Sequence, residues 1–498
     1  MKCAKEMSVS NLKRKTVNGF FWSMLESVLS QGQGMIFGIF LARMLSPKEF
    51  GLVGMITIFI SIAQVFVDSG LSQALIVKQK CTKLDYSTIF WANIFIGLLA
   101  YVIIWFCAPL IANFYQKPEL IQLTHYAAIA IIVGSVTLIQ QTILIKEIDF
   151  KTITKISTIS TFVAGVISLA LAFYGFGVWS LVWRTLINQV MRSIMMWKHN
   201  QWIPQWAFSK RIFSELFTFS SNILLISVVA VIYKSFYNFI IGKNYSDTVL
   251  GYYTNADQYS TMPSSTLTNI TSKVSFPVLS EMQTDNVRLK ASVSKLIKTI
   301  MYLSFIIMFG LAAIAHPLFN VLFGEKWLPS VPIFQALCLA YSITPMHIIN
   351  QNVLKVKGRS DLFLKTEMIK YFLFTPLLIL GIIYGLKVLV AGIALFYWMG
   401  FFINALYTKK LIDYSIFAQC KDFFLLIFHF GIPALLVLGI GFILKMSAFP
   451  LLMIQTFVYI LITVGISYLF KVSAFFEILE ILKNKLTVIN MVKTLKNN

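Results

Sequence analysis

Long apolar runs, separated by short polar breaks, form the main pattern along this chain. A helix needs about 20 apolar residues to cross the roughly 30 Å hydrocarbon core of a bilayer. The runs are continuous, whereas a transmembrane strand would alternate apolar and polar residues, so the pattern predicts helices. Fourteen spans are predicted, at residues 16–43, 48–70, 86–113, 119–145, 152–174, 177–198, 213–242, 248–278, 292–315, 328–352, 361–384, 387–408, 422–444 and 449–470.

The composition agrees with this interpretation. Of the 498 residues 58% are hydrophobic and only 12% are charged, whereas soluble globular proteins carry roughly 25% charged residues. The chain is therefore predicted to be an all-α polytopic membrane protein with fourteen transmembrane helices. Its basic start is similar to that of a secretory signal, but the first run is long and contains Glu26, Gln31 and Gln33. It is therefore predicted to be a retained span.

Basic residues are distributed unevenly between the two sides of the predicted membrane. The chain has 42 Lys and Arg against 20 Asp and Glu, a net charge of +22, and most of the basic residues fall on the side of the N-terminus when successive spans alternate. Basic loops stay in the cytoplasm, so both termini are predicted to be cytoplasmic. The excess charge then faces anionic lipid headgroups, and no nucleic-acid partner is needed to explain it.

One polar stretch recurs at a fixed distance. The segment LARMLSPKEFG at 41–51 resembles IGKNYSDTVLG at 241–251, and both are predicted outer connections that follow a long polar-spotted helix. Coincidence between similar membrane segments is the alternative, but the matching position within the span pattern favours an internal repeat. The paired positions, 200 residues apart, are Arg43 and Lys243, Ser46 and Ser246, and Gly51 and Gly251.

The repeat predicts two pseudo-symmetric lobes of six helices in the same orientation. Parallel six-span repeats are typical of alternating-access transporters, in which the substrate site lies between the halves near the midplane. The predicted domains are an N-terminal lobe at 1–199, a C-terminal lobe at 200–414, helices 13 and 14 at 415–470, and an amphipathic cytoplasmic tail at 471–498.

Several ionisable and polar residues lie inside the predicted spans. Placing a charge there costs at least about 2.5–3.5 kcal/mol, so such groups usually face a cavity or a partner. Excess positive charge in a cavity suits an anionic head group such as a diphosphate, although interhelical ion pairs and hydrogen bonds would leave the same pattern. The predicted substrate-binding residues are Trp22, Arg184, Lys234, Asn255, Gln258, Asn269, Lys273 and Lys370.

Two carboxyl groups inside the spans are candidates for cation coupling. Glu26 lies near the middle of the first span and Asp257 lies beside the polar stripe of the eighth. Each could exchange a proton or bind a cation, and each could equally be the counter-ion of a nearby lysine. Lys370 is predicted to pair with Glu367 one turn away. His347 is predicted to be a hydrogen-bonded packing residue, with proton relay as the alternative. The sequence contains no catalytic or metal-binding motif and no phosphate-binding loop, so no enzymatic activity and no cofactor are predicted.

Three stretches resemble a known family. They are residues 19–91, which begin GFFWSMLESVLSQGQG, and the segments LGYYTNADQYSTMP at 250–263 and LFGEKWLPSVPIFQ at 322–335. They are similar to the Wzx-like polysaccharide and lipopolysaccharide exporters of the multidrug/oligosaccharidyl-lipid/polysaccharide superfamily. The tryptophan and acid of that family fall on Trp22 and Glu26. Many relatives carry a basic residue where this chain has YYTNA, so Asn255 does not supply the corresponding charge.

This resemblance implies a flippase that moves an undecaprenyl-diphosphate-linked oligosaccharide from the cytoplasmic to the periplasmic leaflet of the bacterial inner membrane. The carboxyl groups inside the spans, Glu26 and Asp257, make H+ or Na+ a candidate coupling ion. It implies membrane lipids and polysaccharide assembly proteins as further partners. Two other classes remain as alternatives. A cation-coupled multidrug antiporter of the same superfamily would favour carboxylates over lysines in its cavity, and a membrane glycosyltransferase or polymerase would need a sizeable extramembrane loop.

Overall fold

The described part of the chain is almost entirely helical. The computed structural model describes residues 9–68, 70–78, 81–444 and 446–480, excluding the side chains at 9–20, 219, 222, 223, 226, 234, 273, 274 and 360. These residues form seventeen α-helices and a 3-10 turn at Glu325–Ser330. The helices are α1 Val9–Met44, α2 Pro47–Asp68, α3 Leu71–Val77, α4 Lys83–Tyr115, α5 Glu119–Lys146, α6 Phe150–Phe173, α7 Trp179–His199, α8 Lys210–Asn244, α9 Asp247–Ser280, α10 Asn286–Ala313, α11 Ala315–Phe323, α12 Val331–Tyr341, α13 Thr344–Val356, α14 Ser360–Tyr384, α15 Leu386–Ile412, α16 Ile416–Ile443 and α17 Ala448–Leu469.

Ten helical segments among the described residues are long and apolar enough to cross a membrane, so the protein is a multi-pass membrane protein. Helices α1, α7, α8 and α9 are not among these ten. They are also the helices that carry all but one of the predicted site residues. The ten segments are Pro47–Val77, Lys83–Tyr115, Glu119–Lys146, Phe150–Phe173, Asn286–Ala313, Glu325–Val356, Asp361–Tyr384, Leu386–Ile412, Ile416–Ile443 and Ala448–Leu469.

The tenth predicted span is not one continuous helix. It is divided into the 3-10 turn, α12 and α13, with a break between Tyr341 and Thr344. A break at membrane depth requires partners for the freed backbone carbonyls. The Ser264 hydroxyl donates to the Tyr341 carbonyl at 3.0 Å, and the Ser304 hydroxyl donates to the Ser342 carbonyl at 2.6 Å. The predicted span at 328–352 thus lies within the apolar segment Glu325–Val356, and the sequence did not predict the break that divides it.

The chain folds as two compact units that divide between Thr254 and Asn255. In the first unit α4 packs against α5, and α6 packs against both α1 and α7. In the second unit α10 packs against α16, and α14 packs against α15. Phe305, Phe401 and Phe430 are fully buried in the core of this second unit. Because lipid is as apolar as these side chains, the cohesion inside each unit comes from close packing and hydrogen bonds more than from the hydrophobic effect.

The start of the predicted cytoplasmic tail packs onto the second unit. Residues 473–480 are helical, and residues 481–498 of the predicted tail lie outside the described residues. The Phe475 ring lies 6.4 Å from the Tyr302 ring between centroids. The Glu477 carboxylate lies 3.5 Å from the Lys295 ammonium and accepts a hydrogen bond from Thr299 at 3.1 Å. This segment is therefore anchored to α10.

Candidate functional site

The two repeated stretches form matching helix–turn–helix connections. Helices α1 and α8 end at Met44 and Asn244, and helices α2 and α9 begin at Pro47 and Asp247, so both boundaries are 200 residues apart. In the first turn the Glu49 carboxylate accepts from the Ser46 amide at 2.6 Å and from its hydroxyl at 2.8 Å. This is the acid of a capping box at the start of α2.

The second turn begins its helix with a related cap. The Ser246 hydroxyl accepts a hydrogen bond from the Val249 amide at 3.2 Å, which satisfies one of the free donors at the start of α9. Asp247 is the first residue of α9, where the positive end of the helix dipole stabilises a carboxylate. Local capping therefore fixes both turns at equivalent positions of the repeat.

The two turns lie against each other in the first unit, and the contact is reciprocal. A Cβ atom built on Gly51 would lie 1.8 Å from the Asp247 carbonyl oxygen, and one built on Gly251 would lie 1.8 Å from the Pro47 carbonyl oxygen. Each glycine thus faces the first residue of the other turn's helix. Only a hydrogen atom on each glycine permits this approach of two backbones.

Two lysines fasten the same end of the first unit. The Lys117 ammonium lies 2.7 Å from the Asp247 carboxylate, whose side chain is only 9% exposed. The Lys243 ammonium donates to the Phe114 carbonyl at 2.6 Å and lies 4.2 Å from the centre of the Phe114 ring. The connection between α4 and α5 is therefore tied to the turn between α8 and α9. We call these residues and the two turns the outer contact.

The ionisation of Asp247 contributes to the outer contact. Burial opposes the charged form, but the hydrogen bond and charge of Lys117, the Thr248 amide and the charge of Lys48 outweigh it and lower the pKa of this carboxyl. The stability from such a group is complete above the ordinary Asp pKa and is lost as the pH falls through the lowered one.

We predict that Asp247→Asn will lower the free energy of unfolding of the detergent-solubilised protein by about 1.5–3 kcal/mol, the usual contribution of a hydrogen bond to a charged group. The difference should be constant from neutral pH down to about pH 4 and should vanish in stronger acid. Thermal unfolding over a pH series measures it. The exchange Lys117→Asp with Asp247→Lys should recover part of the loss, and a difference that grows toward acid would contradict the assignment.

Predicted site residues of α1 and α7 contact neighbouring helices of the first unit. The Trp22 carbonyl accepts from the Thr154 hydroxyl at 3.0 Å. The Arg184 guanidinium donates to the Gly34 carbonyl at 3.3 Å, so it reaches from α7 to α1. Glu26 interacts electrostatically with Arg192, which also interacts with Asp68. The buried Nε atom of Arg192 has no hydrogen-bond partner among the described residues.

A buried polar network occupies the second unit around Lys370. Lys370 is 7% exposed and forms an ion pair with Glu367 three residues earlier on α14, which confirms the predicted pairing. The Gln351 amide donates to the same carboxylate at 2.8 Å. A Cβ atom built on Gly400 would lie 2.9 Å from His347 and 3.0 Å from the Lys370 side chain, so both pack over this glycine.

The His347 ring is hydrogen-bonded on both nitrogens. Its Nε2 atom lies 2.9 Å from the Tyr397 carbonyl oxygen, and its Nδ1 atom lies 3.2 Å from the Asn404 amide nitrogen. Since a carbonyl oxygen can only accept, Nε2 carries the proton and Nδ1 accepts from Asn404. This is the packing role that was predicted for His347.

The other candidate acid, Asp257, lies at the break between α12 and α13. The Tyr341 hydroxyl donates to its carboxylate at 2.5 Å, and Thr261 donates to it at 3.4 Å. Tyr341 packs edge to face on Tyr397, with ring centres 5.0 Å apart. Asp257 is therefore connected through two tyrosines to the element that also contacts His347.

The remaining predicted residues lie along α8 and α9. Asn255 is fully buried, and neither atom of its side-chain amide has a hydrogen-bond partner among the described residues. Gln258 and Asn269 are exposed. The predictions for the side chains of Lys234 and Lys273 fall outside the described residues.

Sequence reasoning missed several partners. Asp68, Lys117 and Asp247 were not singled out, although all three are charged residues at the ends of long helices. A charge at a helix end is ordinarily solvated, and only the folded chain shows that Lys117 and Asp247, 130 residues apart, are in contact. The acidic residue at the first position of α9 was the one available signal.

The fold defines the class of protein. The structure superposes on the solved structure of the lipid II flippase MurJ in its inward closed conformation. The superposition covers 91% of this chain and 98% of the MurJ chain, with a TM-score of 0.71 and 16% sequence identity. The chain therefore has the fold of this flippase.

The family follows from the sequence. Residues 40–332 match the model of a family described as polysaccharide biosynthesis protein, and the chain belongs to this family, as the Wzx-like resemblance predicted. An uncharacterized membrane protein in the cps region of Klebsiella pneumoniae is 27% identical over 86% of this chain and 89% of its own. The lipopolysaccharide biosynthesis protein WzxC of Escherichia coli strain K12 is 23% identical over 74% and 76%.

Proposed function

We propose that this protein is a flippase that moves an undecaprenyl-diphosphate-linked oligosaccharide from the cytoplasmic to the periplasmic leaflet of the bacterial inner membrane. The observation that carries the proposal is the outer contact, in which Gly51 meets Asp247 and Gly251 meets Pro47 at equal distances. Two equivalent turns in reciprocal contact can separate and meet again by one rigid-body rotation, which alternating access requires.

In this proposal fourteen helices cross the membrane with both termini in the cytoplasm. The lobes 1–199 and 200–414 rotate relative to each other about the substrate site. Helices 13 and 14, at 415–470, come after the two lobes in the sequence. The polar helices α1, α7, α8 and α9 line the path, since a carried diphosphate and sugar need hydrogen-bonding groups inside the bilayer. Polysaccharide assembly proteins receive the product.

Basic side chains hold the diphosphate in the proposed site. Arg184 suits this role because a guanidinium can bind two phosphate oxygens at once. Glu26 and Asp257 are the proposed coupling groups for H+ or Na+. Lys370 belongs to the substrate site only if a variant in which Lys370 and Glu367 are both replaced by neutral residues folds but does not transport. The proposed substrate-binding set is Trp22, Arg184, Lys234, Asn255, Gln258, Asn269, Lys273 and Lys370.

The substrate is tested in cells depleted of the protein. Lipid-linked oligosaccharide should accumulate in the inner membrane and should be shielded from a glycosidase added to spheroplasts. Re-expression should restore both surface polysaccharide and cleavage of the lipid-linked form. Unchanged lipid-linked pools, together with new sensitivity to cationic drugs, would instead identify a multidrug antiporter.

We predict that Arg184→Ala will reduce surface polysaccharide at least tenfold at an unchanged membrane level of the protein, because loss of a bidentate phosphate contact removes more than about 1.4 kcal/mol of binding. Immunoblotting and quantification of surface polysaccharide measure it. The matched control is Arg359→Ala, which removes an exposed arginine paired with Asp361 at 2.7 Å. Exposed pairs contribute little, so this variant should export normally. Equal export by both variants would remove Arg184 from the site.

A further inference from the structure

A cysteine and a lysine from different helical elements meet at one end of the first unit. Cys81 lies in the connection between α3 and α4, and Lys146 is the last residue of α5. The Lys146 ammonium lies 2.7 Å from the Cys81 sulfur, 2.9 Å from the Leu75 carbonyl oxygen and 2.5 Å from the Lys78 carbonyl oxygen. Its three donors are thus directed at three acceptors, one of which is the sulfur.

The distance between nitrogen and sulfur is unusually short. An ordinary N–H···O hydrogen bond has its two heavy atoms about 2.9–3.0 Å apart, and sulfur is larger than oxygen. At 2.7 Å the two atoms are close enough to be joined through a single oxygen atom. The pair is surrounded by groups that hold it in place, since the Cys81 thiol donates to the Leu75 carbonyl at 3.4 Å and the Tyr86 ring centre lies 6.0 Å from the Lys146 ammonium.

Cys81 is partly exposed, and its sulfur lies beside the Lys146 ammonium. Cys420 differs, because it packs against the core of the second unit, and Cys338 is fully buried. Among the cysteines of the described ranges, Cys81 therefore combines access to solvent with a cationic neighbour.

We propose that Cys81 and Lys146 form an oxygen-bridged N–O–S crosslink when the protein meets hydrogen peroxide. The thiol is oxidised to a sulfenic acid by one peroxide, whose O–O bond breaks with release of water. The amine is oxidised to a hydroxylamine by a second peroxide, again with release of water. The sulfenic acid and the hydroxylamine then condense, so that an S–O bond forms and a third water leaves. Each oxidation transfers two electrons to its peroxide.

This crosslink would change what the lysine does in the fold. In the reduced protein Lys146 satisfies the Leu75 and Lys78 carbonyls at and beyond the end of α3, as a basic residue near a helix C-terminus commonly does. The bridge converts this reversible contact into a covalent tie between the end of α5 and the connection that leads into α4. Two equivalents of a dithiol restore the free pair: the first cleaves the S–O bond to give the thiol and the hydroxylamine, and the second reduces the hydroxylamine to the amine with release of water. Oxidation and reduction of this site would therefore form and break a covalent connection between α5 and the segment before α4, independently of the transported substrate.

The test uses the full-length protein purified in detergent, treated with hydrogen peroxide and digested without reductant. Mass spectrometry should find the peptides that contain Cys81 and Lys146 joined, with a mass equal to their sum plus one oxygen atom and minus two hydrogen atoms. Dithiothreitol should separate them. Sulfenic acid at Cys81 without a crosslink, or a crosslink that lacks the added oxygen, would overturn the proposal.

Variants separate the chemistry from the folding role of the lysine. Lys146→Arg keeps a positive charge and hydrogen-bond donors for the two carbonyls, but its guanidinium is not expected to form the bridge. The crosslink should therefore disappear in a protein that still folds, as judged by thermal unfolding. Cys81→Ser should abolish it, and Cys420→Ser should leave its yield unchanged. A crosslinked species of the same mass in Lys146→Arg or Cys81→Ser would show that other residues form it.

Discussion

Replacing Gly51 or Gly251 by alanine is expected to reduce transport at least about tenfold while the protein still reaches the membrane. In each case the new Cβ atom would lie 1.8 Å from a backbone carbonyl oxygen of the facing turn, which cannot rotate away as a side chain can. The outer contact must then open, at a cost of at least about 1.4 kcal/mol for a tenfold effect. Quantification of surface polysaccharide, normalised to the membrane level of each variant, measures it.

Because each glycine contacts the other turn, the prediction extends to a comparison of the two single variants with the double variant. Both single variants disrupt one interface, so the double variant should be little worse than either single one, a clear departure from additivity. Gly54→Ala should have a milder effect, since its Cβ atom would meet the Thr254 methyl group at 2.9 Å, and a side chain can move. Gly465→Ala on α17, with nothing within 4 Å, is the control. Normal export by Gly51→Ala would show that closure of the outer contact is not part of the cycle.

Lys370→Met is expected to destabilise the protein by about 3–5 kcal/mol, because it leaves the Glu367 carboxylate in a buried position without its cation. The two side chains are 8% and 17% exposed, so water cannot replace the lost charge. Urea or thermal unfolding of the second unit in detergent measures the change. Removal of one partner is the damaging step, since the Glu367 carboxylate then keeps the hydrogen bond from the Gln351 amide but loses the cation that is paired with it.

The double variant Lys370→Met with Glu367→Gln distinguishes a structural pair from a substrate contact. Replacing both charges by groups of similar size should recover most of the stability. If the recovered protein also exports polysaccharide, the Lys370 charge serves the fold alone. If it is stable but inactive, Lys370 acts on substrate, as its position inside a span suggested from sequence.

The positions of many helices could be predicted because the length of an apolar run in the sequence gives the length of the membrane-spanning helix. The predicted spans at 119–145 and 361–384 agree with α5 and α14 to within one residue at each end. Apolar length is a local property, so it needs no knowledge of neighbours. The break between α12 and α13 could not be found in this way. It depends on Ser264 and Ser304, hydroxyls from other helices that replace hydrogen bonds within the span.

The candidate site was predictable to the extent that its contacts are local. Lys370 and Glu367 lie one turn apart on α14, and helical geometry alone brings them together. Glu26 was singled out, but its neighbour Arg192 is on α7 and Asp68 is on α2. Such long-range neighbours depend on how helices pack, which a polar pattern along one chain does not encode. The recurrence of Gly51 as Gly251 did indicate the outer contact from the sequence. The structure shows why glycine is needed at both positions, which is the close approach of two backbones.

The reciprocal geometry of Gly51 with Asp247 and Gly251 with Pro47 has the form of an isologous interface, in which one surface patch binds a second copy of itself. Ordinarily such a patch joins two separate subunits about a two-fold axis. Here both patches belong to one polypeptide, so the contact forms within a single chain and does not depend on the concentration of a second copy.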